Sequence, residues 1–416
     1  MATAAGSRSA AAKRRAAAEA LLGQPGVASV RRPVVPGGQA RFSLRYVRAR
    51  PGTPDDSSAT TLLVIPGGPG LASVLPFARF RAEALARGLD VVMVEHRGVG
   101  LSRTDDAGDP LPAEALTVHQ VVDDLAAVLE AEGIEQAVVV GSSYGTYLAQ
   151  GLGVRHPRLI AGMVLDSTML TARDWVVRRA ELRRRYWDGD DPATATSARR
   201  LRALVRTGRL DAASTGEVVQ RLHENGGPLL VRRVLDRVAE GRGDRLWQWV
   251  AELGGRDEDA GVPLYFEADP VSVLAYRELG YAPEPDGLPL DVNLGLAPHA
   301  RRYPRFAGEP FDLPAALPGF DWPLVVLSGE YDLRTPGVLA AQAAALAPHG
   351  VLVPLARTGH AALSTHPLAL LTTAASVAAG AHHRLPALAG RLAALSRPAG
   401  SRNTELLLRA RLAVTP

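Results

Sequence analysis

The run Gly141-Ser142-Ser143-Tyr144-Gly145 places a serine midway between two glycines. This is the G-x-S-x-G arrangement that presents a serine hydroxyl on a sharp turn between a strand and a helix, where it can attack a carbonyl carbon. The apolar run Ala137–Val140 before it reads as a strand, and Tyr144–His156 after it reads as a helix. The tight turn requires small residues two before and two after its centre, and Gly141 and Gly145 meet that need. Ser143 is therefore the expected nucleophile, with Ser142 off the centre of the turn.

A serine hydroxyl is a weak nucleophile and needs a base, which itself needs orienting. With this elbow the order along the chain is Ser, then Asp or Glu, then His. The expected acid is Asp332, in Gly329-Glu330-Tyr331-Asp332 just after the apolar strand Leu324–Leu327. The expected base is His360, in Thr358-Gly359-His360 after the strand Val351–Leu355. Glu330, two residues from Asp332, and Asp166, which follows the strand Met163–Leu165, are the rival acids. Of the 10 histidines, His360 alone follows a late strand on a Gly-containing turn. His156 and His366, each before a proline, read as surface or capping residues, and the His382–His383 pair has no carboxylate at ligand spacing. The turn Pro66-Gly67-Gly68-Pro69-Gly70, directly after the strand Thr61–Ile65, is placed to offer a backbone N–H to an oxyanion. Gly68 and Tyr144 are then the two expected donors. No Gly-Lys-Ser/Thr follows that turn, so it is not a phosphate loop.

These residues need a scaffold that aligns strand ends. Short apolar strands at Thr61–Ile65, Val91–Val94, Ala137–Val140 and Met163–Leu165 alternate with helical stretches at Leu71–Arg87, Thr117–Glu132 and Tyr144–His156. Such alternation predicts an α/β fold with a mostly parallel sheet covered by helices on both faces. Val27–Val35 and Ala40–Arg48, joined by Pro36-Gly37-Gly38, read as an antiparallel hairpin. The pattern returns with Leu324–Leu327, a helix over Val338–Leu346, the strand Val351–Leu355 and a helix from Ala361 to Ala379. Between them the chain is Arg/Glu/Asp-rich and helical, with helices at Trp175–Tyr186, Ala198–Leu204 and Gly216–Glu224. The organisation read from this is an N-terminal extension (1–24), one core split into 25–167 and 321–416, and a helical cap inserted at 168–320.

Composition narrows the chemistry. The 416 residues include 0 cysteines, which excludes disulfides, a cysteine nucleophile and thiolate metal sites. Lys+Arg is 47 against 43 Asp+Glu, a balance that gives no reason to expect nucleic-acid binding, and Lys13 is the single lysine. No apolar run approaches the ~18–20 residues that cross a bilayer. The Ala-rich stretch Ala2–Leu22 lacks the apolar core of a signal peptide and reads as a short solvated helix or a frayed end. A cytoplasmic protein without metal, cofactor, membrane or nucleic-acid partner is expected.

Taken together, these motifs resemble the α/β-hydrolase serine aminopeptidases that include prolyl aminopeptidase (proline iminopeptidase) and the tripeptidyl aminopeptidases. The family's H-G-G-P-G loop is similar to Pro66–Gly70, its D-Q-R-G-x-G-x-S segment to Glu95–Ser102, its elbow to Gly141–Thr146, and its Gly-x-x-Asp and Gly-His steps to Gly329–Asp332 and Gly359–His360. Pro66 stands where the family has His, and Glu95-His96 where it has Asp-Gln. The resemblance implies an α/β-hydrolase fold and release of an N-terminal proline or small apolar residue from short peptides through an acyl-enzyme. It also implies a cap carboxylate that binds the substrate's free amino group. Glu267, in Leu264-Tyr265-Phe266-Glu267-Ala268-Asp269, is similar to the cap glutamate with that role, whereas Asp257-Glu258-Asp259 reads as a solvated loop. The competing expectation is a carboxylesterase, lactonase or amide hydrolase with the same triad and no amino-terminus pocket. A non-catalytic binding protein on this fold would need a broken triad, and an epoxide hydrolase or dehalogenase would need Asp at position 143.

Overall fold

β-Branched and leucine residues dominate the segments that become the central strands, and those segments are buried along their whole length. In a computed structural model describing residues 13–52, 60–259, 262–281, 283–398 and 403–414, these are β3 (Thr61–Ile65), β4 (Asp90–Val94), β5 (Ala137–Ser142) and β7 (Leu324–Gly329). With β1 (Val27–Pro33), β2 (Arg41–Ala49), β6 (Ile160–Asp166) and β8 (Gly350–Leu355) they form an eight-stranded sheet in the order β1-β2-β4-β3-β5-β6-β7-β8. β3 runs parallel to both β4 and β5, and β7 runs parallel to β8. β1 and β2 make the expected hairpin, with Val30 opposite Leu44, and β2 lies antiparallel to β4. Strands buried on both faces read as continuous apolar runs, which is why the sequence marks them so clearly.

Contacts divide the chain into two compact units, Met1–Met163 with Gly261–Leu274, and Val164–Ala260 with Ala275–Pro416. In the first, α1 (residues 13–22) precedes the hairpin; residues 2–12 of the stretch read as a short helix lie outside the described residues. α2 is shorter than expected, Ala78–Leu85 rather than Leu71–Arg87. The reason is local. Residues 73 and 74 give their N–H groups to the buried Glu95 carboxylate (3.3 and 3.1 Å) and their carbonyls to the buried Arg81 guanidinium (2.8 and 2.7 Å). Backbone groups satisfied by side chains have no need of a helical turn. α3 (Val118–Ala131) starts where the Thr117 hydroxyl accepts the Gln120 N–H, an N-cap worth about 1 kcal/mol.

In the second unit, the elements between β6 and β7 include α5 (Asp174–Arg183), α6 (Ala195–Arg206), α7 (Ala212–Ala239), α8 (Asp244–Asp259), α9 (Ser272–Glu278, shared at its start with the first unit) and α10 (Asn293–Ala300). Asp257-Glu258-Asp259, expected in a loop, closes α8. α7 is broken at Gly227 (φ 66°), followed by Pro228, and a side chain at 227 would come within 2.5 Å of the Tyr331 ring. Leu182, Tyr186, Leu222, Val234, Leu235 and Trp247 form part of a helical core in this unit. Burying one such leucine contributes about 2–3 kcal/mol. The late helix expected over Ala361–Ala379 divides into Ala362–Thr365 and Pro367–Ala378, because Pro367 lacks the N–H that would continue the first turn. No helix among the described residues is long and apolar enough to cross a membrane.

Candidate active site

β5 ends and α4 (Tyr144–Arg155) begins around Ser143, whose backbone sits at φ 52°, ψ −121°. A non-glycine residue there stores on the order of 1–3 kcal/mol of strain. Two bonds hold it: the Ser143 carbonyl accepts the Thr146 N–H at 2.8 Å and the Thr146 hydroxyl at 2.6 Å. The flanking glycines are steric requirements. A Cβ at Gly145 would run into the carbonyl oxygen of Ile65, and one at Gly141 into Gly145 O and, at 2.7 Å, the Thr146 Cα. Ser142 is buried, while Ser143 is partly accessible. Of the five residues of the turn, only the central Ser143 is not buried.

The Pro66–Gly70 loop lies against this elbow. A side chain at Gly67 would stand 3.1 Å from Ser143 Cβ. The Gly68–Pro69 peptide is cis, and Gly68 has φ 129°. Tyr144, the second expected oxyanion donor, is buried, with its ring edge-on to His96 at 6.2 Å. His96 is itself buried, and burial lowers its pKa to about 4, so the imidazole is neutral.

The loop is tied in turn to the segment carrying Glu267. Ala72 N–H bonds to Tyr265 O (2.9 Å), and Glu267 N–H to Gly70 O (2.8 Å). The Glu267 side chain, 3% exposed, accepts the Gly100 N–H at 2.8 Å and the Leu264 N–H at 3.3 Å. It also pairs with Arg14 of α1, whose guanidinium reaches Gly100 O at 3.3 Å. Glu267 thus stands beside the loop as a buried carboxylate that already holds a cation, a partner that sequence reasoning missed. Glu95, where the resembling family has Asp, is buried close by. Burial and the Glu267 charge push it up, two backbone N–H groups and Arg81 pull it down, and the result is about 7.

In the second unit, the turns that follow β7 (ending at Gly329) and β8 (ending at Leu355) each carry a residue of the expected pair. His360 Nδ1 lies 3.0 Å from Asp332 Oδ2. Asp332 also accepts the N–H groups of Arg334 (2.9 Å) and Thr335 (3.0 Å) and the Thr335 hydroxyl (2.8 Å). Burial alone would raise its pKa, but the His360 charge and these bonds, with one from Ser167, hold it at about 2. Asp332 is therefore a fixed anion at any working pH. The rivals are engaged elsewhere: Glu330 accepts the Arg357 N–H (2.7 Å), and Asp166 accepts the N–H groups of Ala362 and Leu363 (2.8 and 3.0 Å). Ser167 (φ 61°) and Thr335 were not singled out from sequence. Ser167 follows β6 directly, and its hydroxyl accepts the Ala361 N–H at 2.9 Å.

A family profile described as alpha/beta hydrolase fold matches residues 60–240. The crystal structure of proline iminopeptidase from Mycobacterium smegmatis superposes with a TM-score of 0.50 at 20% identity, over 86% of this chain and 99% of that one. This chain has the α/β-hydrolase fold. Among curated proteins it is similar to one designated carbamate hydrolase RutD in Cronobacter turicensis, 26% identical over 41% of this chain and 64% of that protein. It is also similar to proline iminopeptidase of Heyndrickxia coagulans, 24% identical over 29% of this chain and 39% of that protein. The chain spans less than two thirds of the length of either relative, and the two names differ in substrate.

Within this hydrolase fold the structure brings Ser143, the 66–70 loop and the Glu267 segment together in one unit, and Asp332 with His360 in the other. His156 bonds Asp123 at 2.9 Å, and His366 stands buried at the N-cap position of the helix Pro367–Ala378. His382 and His383 meet edge to face. Among the described residues no group of three or more His, Asp or Glu is gathered to hold a metal ion.

Proposed function

We propose that the protein is a serine hydrolase that releases an N-terminal proline or small apolar residue from short peptides. The observation that carries the serine chemistry is the backbone of Ser143, held strained and partly accessible at a strand–helix junction between two glycines that tolerate no side chain. In this reading Ser143 Oγ attacks the scissile carbonyl and its proton passes to His360 Nε2. Asp332, bonded to Nδ1, fixes the tautomer and stabilises the imidazolium. The N–H groups of Gly68 and Tyr144 receive the oxyanion. The amine departs with the proton from His360, and water, activated by the same imidazole, releases the acyl group. Glu267 receives the substrate's ammonium, whose desolvation needs a carboxylate partner.

One observation favours a second reading. Glu267 is satisfied by Arg14 and by two backbone N–H groups without any substrate amine. An esterase or amidase with the same triad and no amino-terminus pocket would look the same. Turnover of free and N-acylated aminoacyl arylamides, headed by the proline derivative, together with a p-nitrophenyl ester, separates the two. The aminopeptidase reading requires strong preference for the free amine. Equal or better turnover of blocked substrates and esters would leave a serine esterase or amidase.

A further inference from the structure

We infer that Arg178, backed by Asn293, is a binding site for a substrate carboxylate, so that this enzyme reads an acidic end of its substrate as well as the bond it cleaves. The inference rests on the proposed reading for the identity of the substrate, but the charge site stands on its own observations, all within one unit.

Arginines in the second unit are paired almost wherever they approach the interior. Arg179 bonds Asp291 (2.9 Å), Arg183 forks onto Asp286 (2.7 Å twice), and Arg334 forks onto Glu224 (3.1 and 2.9 Å). Arg178 differs. Among the described residues its one hydrogen-bond partner is the side-chain oxygen of Asn293, at 3.1 Å, and no carboxylate lies within ion-pair distance. Its Nε is shut off from solvent and makes no bond. Asn293 is fully buried, and because its oxygen faces an arginine, its amide nitrogen must point away; that nitrogen also has no partner. A buried N–H without an acceptor costs on the order of 1–3 kcal/mol. An unneutralised guanidinium with an orphaned buried N–H describes the complement of an anion.

The charge count selects the anion. Asp291, Asp286 and Glu224 are each matched by an arginine, so one positive charge is left over, which suits a monoanion better than a phosphate dianion. The flat edge of a guanidinium, held in place by the Asn293 side-chain oxygen, matches the two oxygens of a carboxylate. Burial, and the neighbouring charge of Arg334, lower the Arg178 pKa to about 10, with Glu224, Tyr281 and Asp291 acting the other way. The guanidinium remains charged at neutral pH and gains from a bound anion.

The site also lies on the catalytic side of its unit. Arg334 is two residues from Asp332 and bonds it through its backbone N–H. A Cβ on Gly359, the residue before His360, would strike the Glu224 carbonyl oxygen. The Arg334–Glu224 pair thus links the surroundings of Arg178 to the Asp332–His360 pair. For a peptide substrate the carboxylate is the carboxyl terminus of a very short peptide or an acidic side chain.

The test uses the full-length Ser143→Ala protein and two probes, N-acetylglycine and N-acetylglycinamide, which differ only in the carboxylate. Binding is read by calorimetric titration, so no turnover is required. The expected result is about tenfold or more tighter binding of the acid, in line with a charge-assisted hydrogen bond. That ratio should fall to about one when Arg178→Gln is added, and to an intermediate value with Arg178→Lys, which keeps the charge but loses Nε. Arg199→Gln, at an exposed arginine whose one side-chain bond among the described residues is to Thr196, should leave the ratio intact and control for net charge. Equal binding of acid and amide, or an acid preference that survives both Arg178 substitutions, would overturn the site. If the wild-type protein cleaves no free-amine substrate while the acid preference and its loss are seen, the peptidase reading fails and the carboxylate site stands.

Discussion

Replacing Glu95 by glutamine should change how stability depends on pH, in a direction and window set by the structure. Glu95 is 1% exposed and spends its two oxygens on the N–H groups of Ser73 and Val74. Burial dominates its titration and carries the carboxyl from 4.5 to about 7. A group whose folded pKa is raised in this way keeps its proton in the native state after the unfolded chain has released it. Stability is therefore undiminished below about pH 4.5, falls as pH rises from there to about 7, and is lowered by the full amount beyond. At about 1.4 kcal/mol per pH unit the total is on the order of 3 kcal/mol. Glutamine keeps the shape and one acceptor oxygen for the 73–74 backbone but never ionises. Wild type and Glu95→Gln should have similar urea midpoints, followed by far-UV circular dichroism, at pH 4.5. At pH 8 the variant should be more stable by on the order of 3 kcal/mol. Every other titrating group is common to both proteins, so the difference isolates Glu95 together with its coupling to Glu267 and Arg81. Parallel curves with no widening gap would refute the reasoning, because Glu95 would then be ionised in the folded state at no cost.

Ser143→Ala should reduce kcat on any substrate by roughly 10³-fold or more at unchanged fold, and Asp332→Asn by a comparable factor through the wrong His360 tautomer. Steady-state kinetics on the best arylamide or ester check both. If Glu267 binds the substrate amine, Arg14→Ala should lower KM for free-amine substrates and Glu267→Gln should raise it, with N-acylated substrates affected by neither; a common shift for both substrate classes would count against that role. Gly145→Ala should cost more than about 2 kcal/mol, since its methyl meets the Ile65 carbonyl oxygen with no flexible neighbour to give way; a thermal melt within a degree of wild type would contradict the packing at the elbow.

What was legible in the sequence was what a short stretch of chain determines by itself. The elbow needs a strand, a serine between glycines and a helix, all within twenty residues, and Ser143 adopts the strained backbone that this pattern implies. Asp332 and His360 were legible one at a time, each just past an apolar strand, and the parallel pairing of β7 with β8 is what sets them 3.0 Å apart. The segment 71–77 was misread because its backbone groups are taken up by Glu95 and Arg81, side chains whose burial no local periodicity announces. Ser167 and Thr335 escaped notice for a similar reason: a small hydroxyl beside a strand end is common, and only the packed turn brings both to one carboxylate.

The two buried glutamates show why the same limit governs substrate assignment. The Glu267 charge makes ionisation of Glu95 costlier, and Glu267 itself is paired with one cation, Arg14, 253 residues away from it in sequence. A pattern that identifies Glu267 as an acid near the loop cannot tell whether its charge is spent or available, because the answer lies in a side chain from another part of the chain. Arg178 presents the opposite case: its charge has no partner where those of Arg179, Arg183 and Arg334 do, and that asymmetry exists only after folding. Candidate reacting groups can thus be proposed from residue type and spacing, whereas a proposal for the substrate has to start from which buried charges the folded chain leaves unbalanced. On that argument the ratio of acid to amide binding at Arg178, and the response of KM to Arg14→Ala, discriminate among substrates more sharply than any further motif in the sequence.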